Sequence, residues 1–170
     1  MRPVASDEKS VMVMVYTQNT LVRGQLIAPE GVHVSLWLRN QDISNYMHLI
    51  NPEMLMFGSS APKSITYSEM YVPTRQIIAF HLAPPEADPP DYDPNEPNRS
   101  MATITALAGT FLIKAKIWVS SQTDLGASLD VIRTPWLSLY EAHISNPYMT
   151  QFNLLVPMLL VSSNAVSFGV

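Results

Sequence analysis

The sequence predicts an all-β chain built as two tandem small β-barrels related by internal duplication. Three observations carry that expectation. Short runs rich in valine, isoleucine, threonine and aromatic residues recur at close spacing between glycine, proline and asparagine, with no long amphipathic helix among them. Residues 84–100 differ in composition from everything around them, with six prolines and five acids among 17 residues. The stretches on either side of that segment read alike when one is shifted on the other by 90 residues.

Taken in order, residues 11–17 (Val-Met-Val-Met-Val-Tyr-Thr) form a β-branched apolar run that predicts a strand. Gln18 and Asn19 supply a two-residue hairpin turn, because asparagine tolerates positive φ, and residues 20–28 return as the second strand. Gly24 in its middle marks a bulge or bend. Pro29, Glu30 and Gly31 end it. Residues 33–40 alternate, with Val34, Leu36 and Leu38 on one face and Ser35, Trp37 and Arg39 on the other, which favours a strand, one or two helical turns being the alternative at this length. Residues 46–50 and 54–57 read as two more strands separated by Asn51 and Pro52. Residues 65–72 and 76–82, separated by Pro73 and Thr74, close the first half.

At a shift of 90, residues 101–105 fall on 11–15, Ala108 and Gly109 fall on the Gln18-Asn19 turn, and residues 110–118 fall on 20–28. Trp136-Leu-Ser-Leu falls on Tyr46-Met-His-Leu, and no gap is needed between Val11 and Met54. Towards the end, residues 161–168 match 72–79 at a shift of 89, while a competing shift of 84 pairs Val72-Pro73 with Val156-Pro157. Residues 1–10 are then a flexible N-terminus, 11–83 and 101–170 the two repeats, and 84–100 a solvated, semi-rigid tether of polyproline character. Five or six short strands bury a face best by closing on themselves, so each unit is expected to be a small SH3-like or Sm-like barrel. Units this small have marginal cores alone and gain by docking together.

The run Tyr-Thr, turn, Leu-Val-Arg-Gly-Gln-Leu, then Val-Ser-Leu-Trp-Leu-Arg-Asn, then Tyr-Met-His-Leu resembles an uncharacterised bacterial family of small β-barrel repeats, distantly SH3- and Sm-like. Ser35, Leu38, Asn40 and residues 46–49 fill the positions of its Arg-Leu-Ser-x-x-Leu-Asn element and its following strand. Val34 replaces the family's arginine, and residues 127–130 keep a blurred second version. The resemblance implies a fold and no activity.

Composition narrows function. Apolar residues make up 47% of the 170 and charged residues 14%, enough for a real core. Net charge is −4, and five of the 14 acids sit in the tether, so the two repeats are near neutral. With no basic block, nucleic acid is not an expected partner. Cysteine is absent, which removes thiolate nucleophiles and cysteine metal sites. Residues 1–10 lack the apolar core of a signal peptide. The longest apolar run, 154–161, is broken by Pro157 and falls short of the ~18 residues that span a bilayer. A cytoplasmic protein without a membrane span is expected.

No catalytic, metal or cofactor residues are expected. His33, His48, His81 and His143 have no metal-motif spacing, and Glu141 with His143 reads as a solvent-facing pair. Neither a Gly-x-Ser-x-Gly elbow nor a glycine-rich phosphate loop occurs. Asp88, Asp91 and Asp93 alternate like calcium ligands but lack the glycine and glutamate of such a loop, so they read as solvated charge. Trp136 reads as packing. Trp37, opposite the presumed buried face and beside Arg39, is the favoured partner contact. The expectation is a non-enzymatic protein-interaction or scaffold module that binds a protein partner or self-associates as a homo-oligomer. One alternative is an Sm- or OB-like binder of single-stranded nucleic acid using Arg23, Lys114, Lys116 and Arg133. Another is an enzyme or ligand-binding protein with a site between the barrels, using His48, His143 or Glu141.

Overall fold

Successive residues of a strand point to opposite faces, and in the first strand both faces are buried. Val11, Val13 and Val15 enter one apolar cluster, while Met14 and Tyr16 enter another. That explains a run with no polar alternation: it lies between two cores. The structure, a computed structural model, describes residues 5–39, 45–58 and 61–170, without the side chains of Trp37 and Leu38.

Strands β1 (Glu8–Tyr16) and β2 (Thr20–Pro29) form the expected hairpin, closed where the Thr17 N–H donates to the Thr20 carbonyl at 3.0 Å. Helix α1 (Val34–Arg39) stands where the alternation favoured a strand, and takes the helical alternative. Six residues are too few for periodicity to decide, and the deciding contact is remote. The Asp88 carboxylate accepts the Ser35 N–H at 2.7 Å, satisfying a donor in the helix's first turn. Leu36, assigned to the buried face, is 50% exposed.

Strand β3 (Tyr46–Met56) runs unbroken through Asn51 and Pro52, where the sequence suggested a gap. These two residues sit together opposite Gly24 as a bulge, and Asn51 takes φ 47°. Gly24 allows the approach, since a Cβ there would lie 3.2 Å from the Pro52 Cβ. Strands β4 (Lys63–Thr66) and β5 (Glu69–Pro73) pair with β3 on either side of the bulge. A 3-10 turn at Thr74–Gln76 leads to β6 (Ala79–Leu82), which returns to β1.

The rest of the chain follows the same order. Strands β7 (Arg99–Ala108) and β8 (Phe111–Ser120) form a hairpin. Its turn is Gly109-Thr110, one residue later than expected, because Gly109 takes φ 59°. Helix α2 (Leu125–Val131) is capped by Asp124, which accepts the Ala127 N–H at 2.8 Å. Strand β9 (Trp136–Asn146) bulges at Glu141, φ 49°, and its pairing with β10 (Met149–Ser162) skips Glu141 and Pro157. Proline is tolerated where the ladder is already interrupted. Strand β11 (Val166–Gly169) returns to β7.

All eleven strands belong to one antiparallel sheet, ordered β11-β7-β8-β9-β10-β6-β1-β2-β3-β4 with β5 also on β3. The sheet is not closed. Its middle is the seam of β6 with β10, where Phe80 faces Leu160, Ala79 faces Val161, and the Ser162 N–H donates to the Ile78 carbonyl at 2.8 Å. Phe80 and Leu160 fall in one core, Ala79 and Val161 in the other. Strands β1, β6 and β10 are therefore a wall shared by two cores. No helix among the described residues is long and apolar enough to cross a membrane.

His81 is buried inside this wall at 3% exposure. Its Nδ1 lies 2.7 Å from the Leu82 carbonyl, which only accepts, so Nδ1 carries the proton. Nε2 then accepts the Tyr16 hydroxyl at 2.8 Å. Burial lowers the His81 pKa from 6.5 to about 4. The unfolded chain takes up the proton first, so stability should be full above pH 6.5 and fall as the pH drops towards 4. The total loss is about 3 kcal/mol at ~1.4 kcal/mol per pH unit. Urea unfolding between roughly pH 6.5 and 5, where few carboxylates titrate, should show that slope in the wild type and lose it in His81→Gln.

Candidate functional site

Residues 84–98 contain no helix or strand, yet two of their carboxylates are tucked against the body instead of being solvated. Asp88, with a side chain 9% exposed, caps α1 and lies 3.6 Å from His33 Nδ1. Asp91 reaches the other half. It accepts the Tyr140 hydroxyl at 2.6 Å and the Ser138 hydroxyl at 2.8 Å, and it pairs with Arg39 at 2.5 Å. Burial alone would raise the Asp91 pKa; the hydrogen bonds from Tyr140 and Ser138 and the Arg39 charge outweigh it and hold it below the ordinary value. Burial and the same bond push the Tyr140 hydroxyl up. The Asp93 carboxylate accepts the Asn95 N–H at 2.9 Å, an exposed local bond.

Tyr92 continues the strap. Its ring packs 5.0 Å from Trp118 and 4.8 Å from Tyr140. The Trp118 Nε1 donates to Glu96 at 3.3 Å, and Arg99 approaches the same carboxylate at 3.5 Å. Arg39, Tyr92, Trp118 and Tyr140 line one open cleft. Arg39 was expected to face a partner; its guanidinium is engaged within the chain, with Asp91 and the Ser138 hydroxyl. The backbone of Trp37 lies in α1, and its side chain is outside the described residues. Trp136 is half-buried against the first core, the packing role expected of it.

The polar residues weighed for chemistry are dispersed. His48 bonds Glu69 at 3.0 Å, His143 bonds Asn153, and Glu141 pairs with Lys116 at 2.7 Å. Glu141 and His143 thus have separate partners. Arg23 lies on β2, Lys114 and Lys116 on β8, and Arg133 beyond α2. Among the described residues no three His, Asp or Glu side chains gather to hold a metal ion.

The outer end of the sheet has a different character. Tyr71 is 59% exposed, and its ring stacks on His48 at 4.4 Å with 5° between planes. Tyr46, Tyr67, Met56 and Ile65 are exposed on or beside the same three strands, β3 to β5. Five of the twelve large exposed apolar or aromatic side chains among the described residues therefore lie at one sheet end, more than scattered exposure requires. The expectation of a contact fell on the tryptophans and not on these exposed tyrosines. The available signal was Tyr67 and Tyr71, four residues apart in a strand-forming stretch and so facing alike.

Asp91→Asn removes the charge that joins α1 to β9. It is expected to cost about 2 kcal/mol, discounted for partial exposure, in denaturant unfolding. Asp93→Asn should stay within about 0.5 kcal/mol of the wild type.

Compared with known proteins, this chain matches no family model, no curated protein and no solved structure.

Proposed function

We propose that this chain is a non-enzymatic interaction module, made from two copies of one strand-rich unit with the strand order of a small SH3- or Sm-like barrel. It acts by holding a protein partner, in the first instance another copy of itself. The observation that carries the reading is the exposed aromatic and aliphatic cluster on the open sheet end formed by β3, β4 and β5. An unpaired strand edge beside such a surface is a template for another chain.

Duplication is supported by corresponding irregularities. Asn51 and Glu141, both at positive φ and both in bulges, are 90 residues apart. Val13 faces Gly24 in one hairpin and Ile104 faces Ala115 in the other, a displacement of 91. Tyr46 faces Pro73, and Trp136 faces Ser162, which displaces the fourth strand by 89. A short helix joins the second and third strands in each half, and each half's last strand returns to its first. Positive φ is uncommon at non-glycine residues; of the three among the described residues, Asn51, Asn98 and Glu141, two recur in the same register, which favours copying over chance. The shift of 84 has no counterpart in these registers.

Sedimentation equilibrium of the wild type from micromolar to millimolar concentration tests the self-association. Oligomers growing with concentration are expected, and a strict monomer throughout would remove it.

A further inference from the structure

We propose that copies of this chain join end to end through their sheets, β5 of one copy adding antiparallel to β11 of the next and so repeating the β6·β10 seam between molecules. The proposal rests on the self-association reading above and gives it a surface and a register.

The seam within the chain joins the closing strand of the first half to the fourth strand of the second. The counterparts of those two strands are β11 and β5. Among the described residues, β5 pairs with no strand but β3, and β11 with none but β7. The molecule thus makes one of these joints internally and leaves the two complementary edges at its opposite ends.

The register follows from the pairings. Ser162 faces Trp136 as Pro73 faces Tyr46, so Leu160 corresponds to Tyr71 and Val161 to Val72. Gly169 faces Thr105 as His81 faces Met14, so Phe80 corresponds to Phe168 and Ala79 to Ser167. Between copies, Tyr71 would face Phe168 and Val72 would face Ser167. The side chains suit these places. Phe80 and Leu160 are buried against each other's strands in the seam, whereas Tyr71 is 59% exposed and Phe168 is half-buried against the second core. Adding a strand would cover both.

The intermolecular joint is weaker than its internal counterpart. Pro73 stands where Ser162 donates its N–H to Ile78, so the ladder loses one bond. Association is therefore concentration-dependent. Because the two surfaces differ, the contact is head-to-tail, and it closes as a ring or runs on as a filament.

The chain has no cysteine, so single introduced thiols report contacts without ambiguity. Tyr71→Cys and Phe168→Cys proteins, made separately, are mixed and oxidised. The joint requires the mixed disulfide dimer to exceed both homodimers, since paired Cα atoms at about 5.5 Å lie within disulfide reach. Tyr71→Lys, at an exposed position, should keep the wild-type fold by circular dichroism and weaken association about tenfold, since charge blunts a strand edge. If the wild type associates but the mixed disulfide does not exceed the homodimers, this joint is wrong while the interaction reading stands. If the wild type stays monomeric in sedimentation, the joint and the self-association fall together.

Discussion

The wall made by β1, β6 and β10 is the constraint on which the rest depends. Each of these strands sends alternate side chains into different cores, and the seam joins the two halves by main-chain bonds. A strand with two buried faces has no polar side to give up, which is why residues 11–16 are apolar throughout. Fully burying each large apolar side chain contributes about 2 kcal/mol. A wall used twice supplies two small cores that would each be marginal alone. Tyr16 and His81 are the polar exceptions, and they satisfy each other within the wall.

The acidic strap works on the same joint from outside. Asp88 fixes the start of α1, and Asp91 ties its last residue, Arg39, to β9 in the other half. A proline-rich segment gains no core burial, but its restricted backbone loses less entropy when held. Two well-placed carboxylates are enough to dock it. Charge that looked like solvated spacing is thus the means by which a helix in one half is attached to a strand in the other.

Much of this was legible in the sequence. The all-β class, the first hairpin, the irregularity at Gly24 and the composition break at residues 84–100 were local properties of the chain. What escaped depended on remote partners. A strand was favoured over the helical turns at α1 because the cap, Asp88, lies 53 residues from Ser35. The gap at Asn51-Pro52 became a bulge because β4 and β5 carry the ladder across it, through the Asn51 N–H to Ser68 and the Tyr67 N–H to Pro52. The wall itself was invisible, since an apolar run does not reveal whether one core or two take its side chains. Arg39 was expected beside Trp37 at a partner contact, and its guanidinium pairs with Asp91 within the chain; Tyr71 is exposed on a strand edge that only the topology identifies.

Native-state hydrogen exchange at the seam tests most directly whether the halves form one cooperative body. The Leu160 and Ser162 amides should exchange as slowly as those of Val13 and Val15, opening only when the whole chain unfolds. Fast exchange at the seam, with β2·β3 and β8·β9 still protected, would mean that the halves part while each stays folded, and the shared wall would then not hold the molecule together.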